Sequence, residues 1–542
     1  RSMRGIGEES IYRLNSDNTE LYTLSENKNR GQNVFLRAGV TYNATKNDHF
    51  YLSAYGMTGK RNFFDSTYYY GDAIMYDSRH RESNSLGSNL GGSAEIGYKH
   101  EFGENHNIDI SASYNTWGRE NEDIYYDRYI YPLYDSSAYQ KQVSNMAPDF
   151  YNVQVDYVNA FNEKFKLEAG YKADIQREGS PVSTYAGATE DNLELVEELY
   201  NDFIYNRDVH ALYATFSGRI DKFGFQVGLR GENTKVYTQS LAYGQTVNDV
   251  EPYVTSDFDL FPSAFLTYQL PNDNEIQLSY TRRISRPFGG QLNSFVNISD
   301  PLNVSYGNPE LTPSYSNALE LNYMKMWHNH LASASLYYRN TDDVRQRIKY
   351  LGADNVMYTT WENVTFDKSA GAEFVVKNTF NNIVDLTTTV NMFYYEIDSF
   401  NYFIPEVQKY VTGDASSDFS WNARLIASVN IPKVISIQVT GRYNARQVVA
   451  QGYREPGYSL DIGIRKSFGD LSFSLSGRDI LNSRKMHNIS YGEGFMQETN
   501  SRRGGWQVGL TVTYGFGNMK AKKNPNMGGD SIQVNDGYSE EY

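Results

Sequence analysis

Apolar and polar side chains alternate along segment after segment of this chain, and that period of two restricts the fold more than any other feature. Near the end, Trp506, Val508, Leu510, Val512, Tyr514 and Phe516 share one face, against Gln507, Gly509, Thr511, Thr513 and Gly515. Ile435, Ile437, Val439, Gly441 and Tyr443 oppose Ser436, Gln438, Thr440 and Arg442 in the same way. So do Phe223, Phe225, Val227 and Leu229 against Gln226 and Arg230, and Ala332, Ala334, Leu336 and Tyr338 against Ser333, Ser335, Tyr337 and Arg339. Alternation of this length marks a strand with one apolar face. A soluble sandwich alternates too. Here the pattern recurs along the whole chain, and its strands are long enough to cross the roughly 25 Å apolar band of an outer-membrane barrel.

Composition supports the membrane. Mean hydropathy is only −0.61, yet aromatics are 15% of residues and 47 are Tyr, a side chain whose apolar ring and wet hydroxyl suit a membrane–water boundary. No stretch approaches the ~18 consecutive apolar residues of a membrane helix. A barrel avoids that requirement, because only every second residue meets lipid.

Short polar turns divide the chain: Lys46-Asn47-Asp48, Gly103-Glu104-Asn105, Asn162-Glu163-Lys164, Asp221-Lys222, Pro271 to Asn274, His328-Asn329, Asn381-Asn382, Pro432-Lys433 and Gly469-Asp470. Asn, Asp and Gly supply the backbone freedom that tight hairpins need. The alternate connections are long, so the short turns are expected in the periplasm and the long loops outside the cell. Nine hairpins and a last strand near 496–516 give about nineteen strands, an odd number where bacterial single-chain barrels have an even one. Either upstream strands or a strand within residues 9–27 must correct the count. The expected organisation is an incomplete strand or extracellular loop over 1–30, an antiparallel transmembrane barrel over 31–516 and a periplasmic tail over 517–542.

Other classes find little support. A net charge of −15 and a pI of about 5.1 argue against nucleic acid as a partner. With no cysteine there is neither a disulfide nor a thiolate metal site. His328 and His330 sit at a turn without a third ligand nearby in sequence, so no metal is expected. No zinc-protease, nucleophile-elbow or phosphate-loop motif occurs, so neither an enzyme nor a cofactor is expected. The chain opens Arg1-Ser2-Met3-Arg4, without the apolar run of a signal peptide.

Three groups of residues are candidates for function. Phe63, Phe64, Tyr68, Tyr69 and Tyr70 form one aromatic cluster, and Tyr125, Tyr126, Tyr129, Tyr131 and Tyr134 form another. Both are expected in long loops. With Asp65, Asp72, Asp123 and Asp127 between them, they can stack a flat or sugar-like ligand and bond its edges. The plainer reading is loop packing or an aromatic girdle. Arg282, Arg283 and Arg286 lie near the top of one strand, where inward-facing arginines can hold an acidic ligand or a plug, or simply furnish a polar lumen wall. Gly307-Asn308-Pro309-Glu310-Leu311-Thr312-Pro313 reads as a turn that fixes shape. The acidic run over 190–198 reads as a short amphipathic loop helix.

The stretches FPSAFLTYQL from Phe261, SYTRRISRP from Ser279 and YGNPELTPSYSNALELNY from Tyr306 resemble the barrel of TonB-dependent receptors, in the outer-membrane β-barrel family. SGRDILNSRK from Ser476 and the closing WQVGLTVTYGFG from Trp506 fit the same pattern. Leu292-Asn293-Ser294-Phe295 departs from the family's usual Leu-Asn-Pro-Phe. The resemblance implies a barrel of about 22 strands, filled by a plug and energised through TonB, that imports a scarce nutrient. The plug and TonB-contacting segment would lie upstream of Arg1. The implied partners are outer-membrane lipid, the TonB system and a small-molecule, glycan or peptide ligand. A barrel that holds a surface lipoprotein, or a passive porin, are the alternatives.

Overall fold

The computed structural model describes residues 2–75, 77–131, 135–297, 299–404, 409–502 and 505–515. Within them 27 strands join one sheet, and Phe400–Ile404 and Lys409–Gly413 make a separate hairpin. Successive wall strands pair antiparallel, as the strands expected from alternation must.

All nine short turns stand where the sequence places them. Asn105, Asp221, Asn272, Asp273, His328, Asn381, Asn382, Lys433 and Gly469 take positive φ there. Asn and Asp tolerate that left-handed conformation because their short side chains bond the local backbone. At one turn the Asn162 side-chain oxygen accepts the backbone N–H groups of Lys164 at 2.8 Å and Phe165 at 3.0 Å.

The apolar face of each strand points away from the lumen. Val508, Leu510, Val512 and Tyr514 are all more than half exposed, as are Leu229 and Leu336, which is the arrangement lipid requires. Aromatic pairs mark both edges of this belt. Phe50–Tyr98, Phe165–Phe216 and Trp327–His330 lie near the short turns, with ring centroids 4.8, 6.0 and 5.6 Å apart. Tyr114–Tyr151 and Trp421–Tyr443 form the opposite edge at 5.2 and 4.6 Å.

The first strands add one to the expected count. Ser2–Asn15 (β1) turns through Ser16-Asp17-Asn18-Thr19 into Glu20–Asn43 (β2), so the strand expected from residue 31 begins eleven residues earlier. β1 lies against the upper half of β2, with Ser2 opposite Gln32 and Leu14 opposite Glu20. Its other edge pairs with Phe495–Arg502, and this closes the ring on the extracellular side. When pieces of one crossing are merged, the described residues supply twenty strands, β1 being the addition. Lower down, residues 33–43 of β2 pair only with Asp48–Tyr70 (β3), and Gln507–Tyr514 only with Leu471–Arg478, among the described residues.

Wall height varies around the ring. β2, β3, Ser78–Gly103 (β4) and His106–Ile130 (β5) have 24, 23, 26 and 25 residues, far more than the ~10 that cross a bilayer. Their upper halves stand clear of the membrane. Across the closure, the crossings are broken into pieces: Ile435–Asn444, Leu471–Arg478 and Gln507–Tyr514, the low arc, have only 10, 8 and 8 residues, and separate pieces such as Met486–Gly492 and Phe495–Arg502 stand above them. The acidic run departs from expectation: it holds a two-residue strand, Glu194–Leu195, and a single 3-10 turn, Glu197–Leu199, in place of an amphipathic helix.

Because apolar residues of the membrane zone face lipid, the buried apolar clusters collect at the extracellular end. One joins Val344, Ile348, Tyr350 and Val364 to Phe400, Ile404, Val411 and Ala450. A second joins Leu21, Tyr69 and Ala73 to Leu302, and a third joins Phe203 and Tyr205 to Leu292 and Leu311. Above residue 342, the strand His330–Leu351 has outgrown its neighbour Ser314–Trp327. There the Gln451 side chain takes the neighbour's place, accepting the Lys349 N–H at 2.6 Å and donating to the Lys349 carbonyl at 3.0 Å.

Candidate functional site

Residues 286–313, which connect Asn274–Ser285 to Ser314–Trp327, fold inward and cross the mouth of the ring. At the foot, Arg286 bonds Glu232 at 2.6 Å and lies 3.7 Å from Asp259. Tyr205 Oη donates to the Pro287 carbonyl at 3.4 Å, and Leu292 of the short helix Gly289–Leu292 packs on Phe203 and Tyr205. Further along, the Asp300 carboxylate accepts Tyr69 Oη at 3.0 Å, and Leu302 packs on Leu21 and Tyr69. Asn303–Ser305 then pairs parallel with residues 357–359, and Asn308 donates to the Trp361 carbonyl and to Glu362 at 3.2 and 2.9 Å. The loop thus touches three well-separated arcs of the wall. Gly307 lets it fold on itself: a Cβ there would collide with the carbonyls of Gln291 and Asn293, which accept the N–H groups of Asn308 and Gly307. The 307–313 run does fix shape.

The two aromatic clusters expected in loops lie instead on the upper parts of β3 and β5. Polar residues outside the membrane hide strand continuation from a reading tuned to lipid-facing alternation. Strand geometry also divides each cluster between two faces. Tyr68 stacks on His80 with centroids 4.1 Å apart, Tyr70 on Tyr22 at 5.2 Å, and Tyr126 meets Tyr139 at 4.8 Å. Phe64 alternates with Phe63 and shares their face. Phe63, Tyr69, Tyr125, Asp127 and Tyr129 share the other. Tyr131 follows the end of β5 and stacks on Tyr129, and Tyr134 lies outside the described residues.

Two arginines of β4 organise that second, inward face. Arg79 and Arg81 stand in register between Tyr69 and Thr67 of β3 and Tyr129 and Asp127 of β5. Nε and Nη2 of Arg79 both reach Asp127 Oδ1 at 2.8 Å, and Arg81 Nη1 lies 3.5 Å from Oδ2. Arg81 Nη2 donates to Gln140 at 3.2 Å. The guanidinium carbons sit over the Tyr129 and Tyr125 rings at 4.9 and 4.1 Å. Arg79, Arg81 and Asp127 are only 6%, 3% and 4% exposed, so two cations share one carboxylate in a dry, aromatic-lined wall.

Alternation also separates the expected arginine trio. Arg283 shares the face of Ser279 and Thr281, whereas Arg282 shares that of Leu278 and Tyr280, the lipid side, where it covers the Tyr315 ring at 5.2 Å. This corrects the lumen-facing expectation for Arg282. Arg286 lies past the strand, at the foot of the mouth loop.

Near that foot is a cavity of about 240 Å³ lined by Lys172, Asp174, Arg207, Val209, Arg230, Glu232 and Arg286. Except for Arg230 and Arg286, sequence reasoning did not single these out. Their signal is polar side chains at alternate positions of neighbouring strands, and it becomes legible only once register is known. Among the described residues no three His, Asp or Glu side chains are placed to hold a metal.

Residues 100–514 match the model of a family described as the outer membrane protein beta-barrel family. The chain belongs to this family. It is therefore an outer-membrane protein whose strands cross the bilayer many times, as the resemblance through Phe261 to Tyr323 implies. Among solved structures it is similar to the siderophore receptor PiuA from Acinetobacter baumannii, with a TM-score of 0.53 and 11% identity over 92% of this chain and 82% of that one. It is also similar to the copper transporter OprC, with a TM-score of 0.50 and 9% identity over 92% and 83%. At such identities the family's fold is what is shared. No curated protein matches the sequence.

Proposed function

We propose that this family member is the barrel of a TonB-dependent receptor that captures a scarce nutrient at its extracellular mouth and imports it past a plug. The observation that carries this reading is the mouth loop, tied to Tyr69 on one arc, Tyr205 on another and Glu362 on a third. A passive porin needs an open aqueous path, which barrels of about 16–18 strands already provide. A loop pinned across the entrance at three arcs of the wall fits gated entry better. A siderophore receptor and a copper transporter are among the similar structures, which favours a chelated or otherwise scarce ligand here. Phe63 and Tyr129, the less buried residues of the inward face, are proposed to meet it, and Arg283 to face the plug.

The test is accumulation of candidate nutrients (metal chelates, haem, glycans, peptides) by cells that express the complete receptor, with and without a functional TonB system. Energy-dependent accumulation of one class, lost without TonB, is expected. Accumulation that persists without TonB overturns the reading in favour of a porin. Absence of any uptake, with a lipoprotein co-purifying, overturns it in favour of a scaffold barrel.

A further inference from the structure

The cavity beside the mouth loop has an unbalanced charge. Lys172 comes from the strand Phe165–Gly187, Arg207 from Asn201–Ile220, Arg230 and Glu232 from Phe223–Leu241, and Arg286 from the loop, while Asp174 faces it from the first of these strands. Four cations thus confront two lining carboxylates, and Asp259 beside Arg286 makes a third, which leaves one cation in excess. Register brings them together: Lys172 is opposite Ala211 and Asp174 opposite Val209, so these lie on one face with Arg207, and Arg230 is opposite Tyr213 on that same face.

All three carboxylates are already engaged, Asp259 with Arg286 at 3.7 Å. Glu232 bonds both Arg230 and Arg286, and Asp174 is held at 3.5 Å by Arg207. Donors are left over. The Nε atoms of Arg207 and Arg286 are buried without an acceptor among the described residues, and Lys172 has no ion-pair partner among them. A cation held in a partly dry site without acceptors is costly, and the inexpensive remedy is an anion with several lone pairs. Guanidinium forks match carboxylate and phosphate oxygens in particular, and a lysine adds a point charge.

We infer that this cavity binds a compact oxyanion, the carboxylate or phosphate group of the captured nutrient, between Lys172, Arg207, Arg230 and Arg286. The inference rests on the receptor reading and narrows it to ligands that carry such a group. The volume of about 240 Å³ admits the anionic group and its immediate neighbours, not a whole large ligand, so the remainder projects toward the mouth. Because Arg286 belongs to the crossing loop, the bound anion touches wall and loop together.

Equilibrium dialysis of the complete receptor in detergent, with labelled inorganic phosphate and labelled citrate as separate probes, tests this. At least one probe is expected to bind saturably with one site per chain, and the preferred probe tells phosphate from carboxylate recognition. Lys172→Gln breaks no ion pair and is expected to weaken binding about tenfold, the effect of losing one charge-assisted bond. Lys172→Gln with Arg207→Gln is expected to abolish it. Lys99→Gln, at the periplasmic end beside Glu101, should leave binding unchanged. Heat-modifiable gel migration checks that each variant is folded. No saturable binding of either probe, or equal binding by the folded Lys172→Gln variant, overturns the inference. Neither result bears on TonB-dependent uptake, which fails or stands by its own experiment.

Discussion

The tall arc of β2 to β5 and the low arc of Ile435–Asn444, Leu471–Arg478 and Gln507–Tyr514 share one backbone geometry but not one environment. On the low arc nearly every outward residue meets lipid, and Val508, Leu510, Val512 and Tyr514 form an unbroken apolar stripe. On the tall arc the stripe stops partway. The outward positions of β4 read Tyr98, Ile96 and Ala94 near the membrane, then Asn84 and Glu82 higher up, while pairing with β3 and β5 continues to Ser78. Alternation therefore reports where the sheet runs, and the chemistry of its outer face reports where the bilayer ends. Above that level the sheet needs another source of cohesion. The tall arc finds it in a charged and aromatic seam on its inner face.

The contrast can be broken most strongly at that seam. Asp127→Ala leaves Arg79 and Arg81 buried without their shared carboxylate. Loss of one partner of a buried pair costs about 3–5 kcal/mol. Hydrogen exchange should then quicken in the upper halves of β4 and β5 while the low arc keeps its protection; uniform exchange would mean the seam holds nothing. Next comes a paired test on the outer faces. Leu510→Arg puts a charge into lipid and is expected to cost about 2–4 kcal/mol at mid-bilayer depth. Asn84→Arg on the tall arc should stay within about 0.5 kcal/mol. Urea unfolding in vesicles measures both, and equal costs would contradict the membrane boundary drawn here. The smallest effect concerns the tie between tall arc and loop. Tyr69→Phe removes the bond to Asp300 but keeps the ring against Leu302, for about 1 kcal/mol. Faster proteolysis of the mouth loop in intact cells is expected, with the barrel itself unaffected.

Much of the wall was legible in the sequence, because its determinants are local. Five of the turns carry Asn, Asp or Gly where φ turns positive, and period two needs no knowledge of partners. The turn Ser16-Asp17-Asn18-Thr19 was less plain because its flanks lie outside the lipid belt, so a strand within residues 9–27 stood only as one of two ways to mend the count. Polar composition likewise made the aromatic clusters of β3 and β5 look like loops. The site was less legible. That Asp300 meets Tyr69 across 231 residues, or that Lys172, Arg207 and Arg286 border one space, depends on ring closure and register, which no local pattern encodes.

The amide of Gln451 has a consequence of its own. A strand that rises past its neighbour offers bare N–H and C=O groups to any extended peptide nearby, including the same strand of another molecule. On a crowded cell surface that invites polymerisation. Gln451 occupies both groups of Lys349 with a single side chain, so this edge is sealed against strand addition without lengthening the adjacent strand.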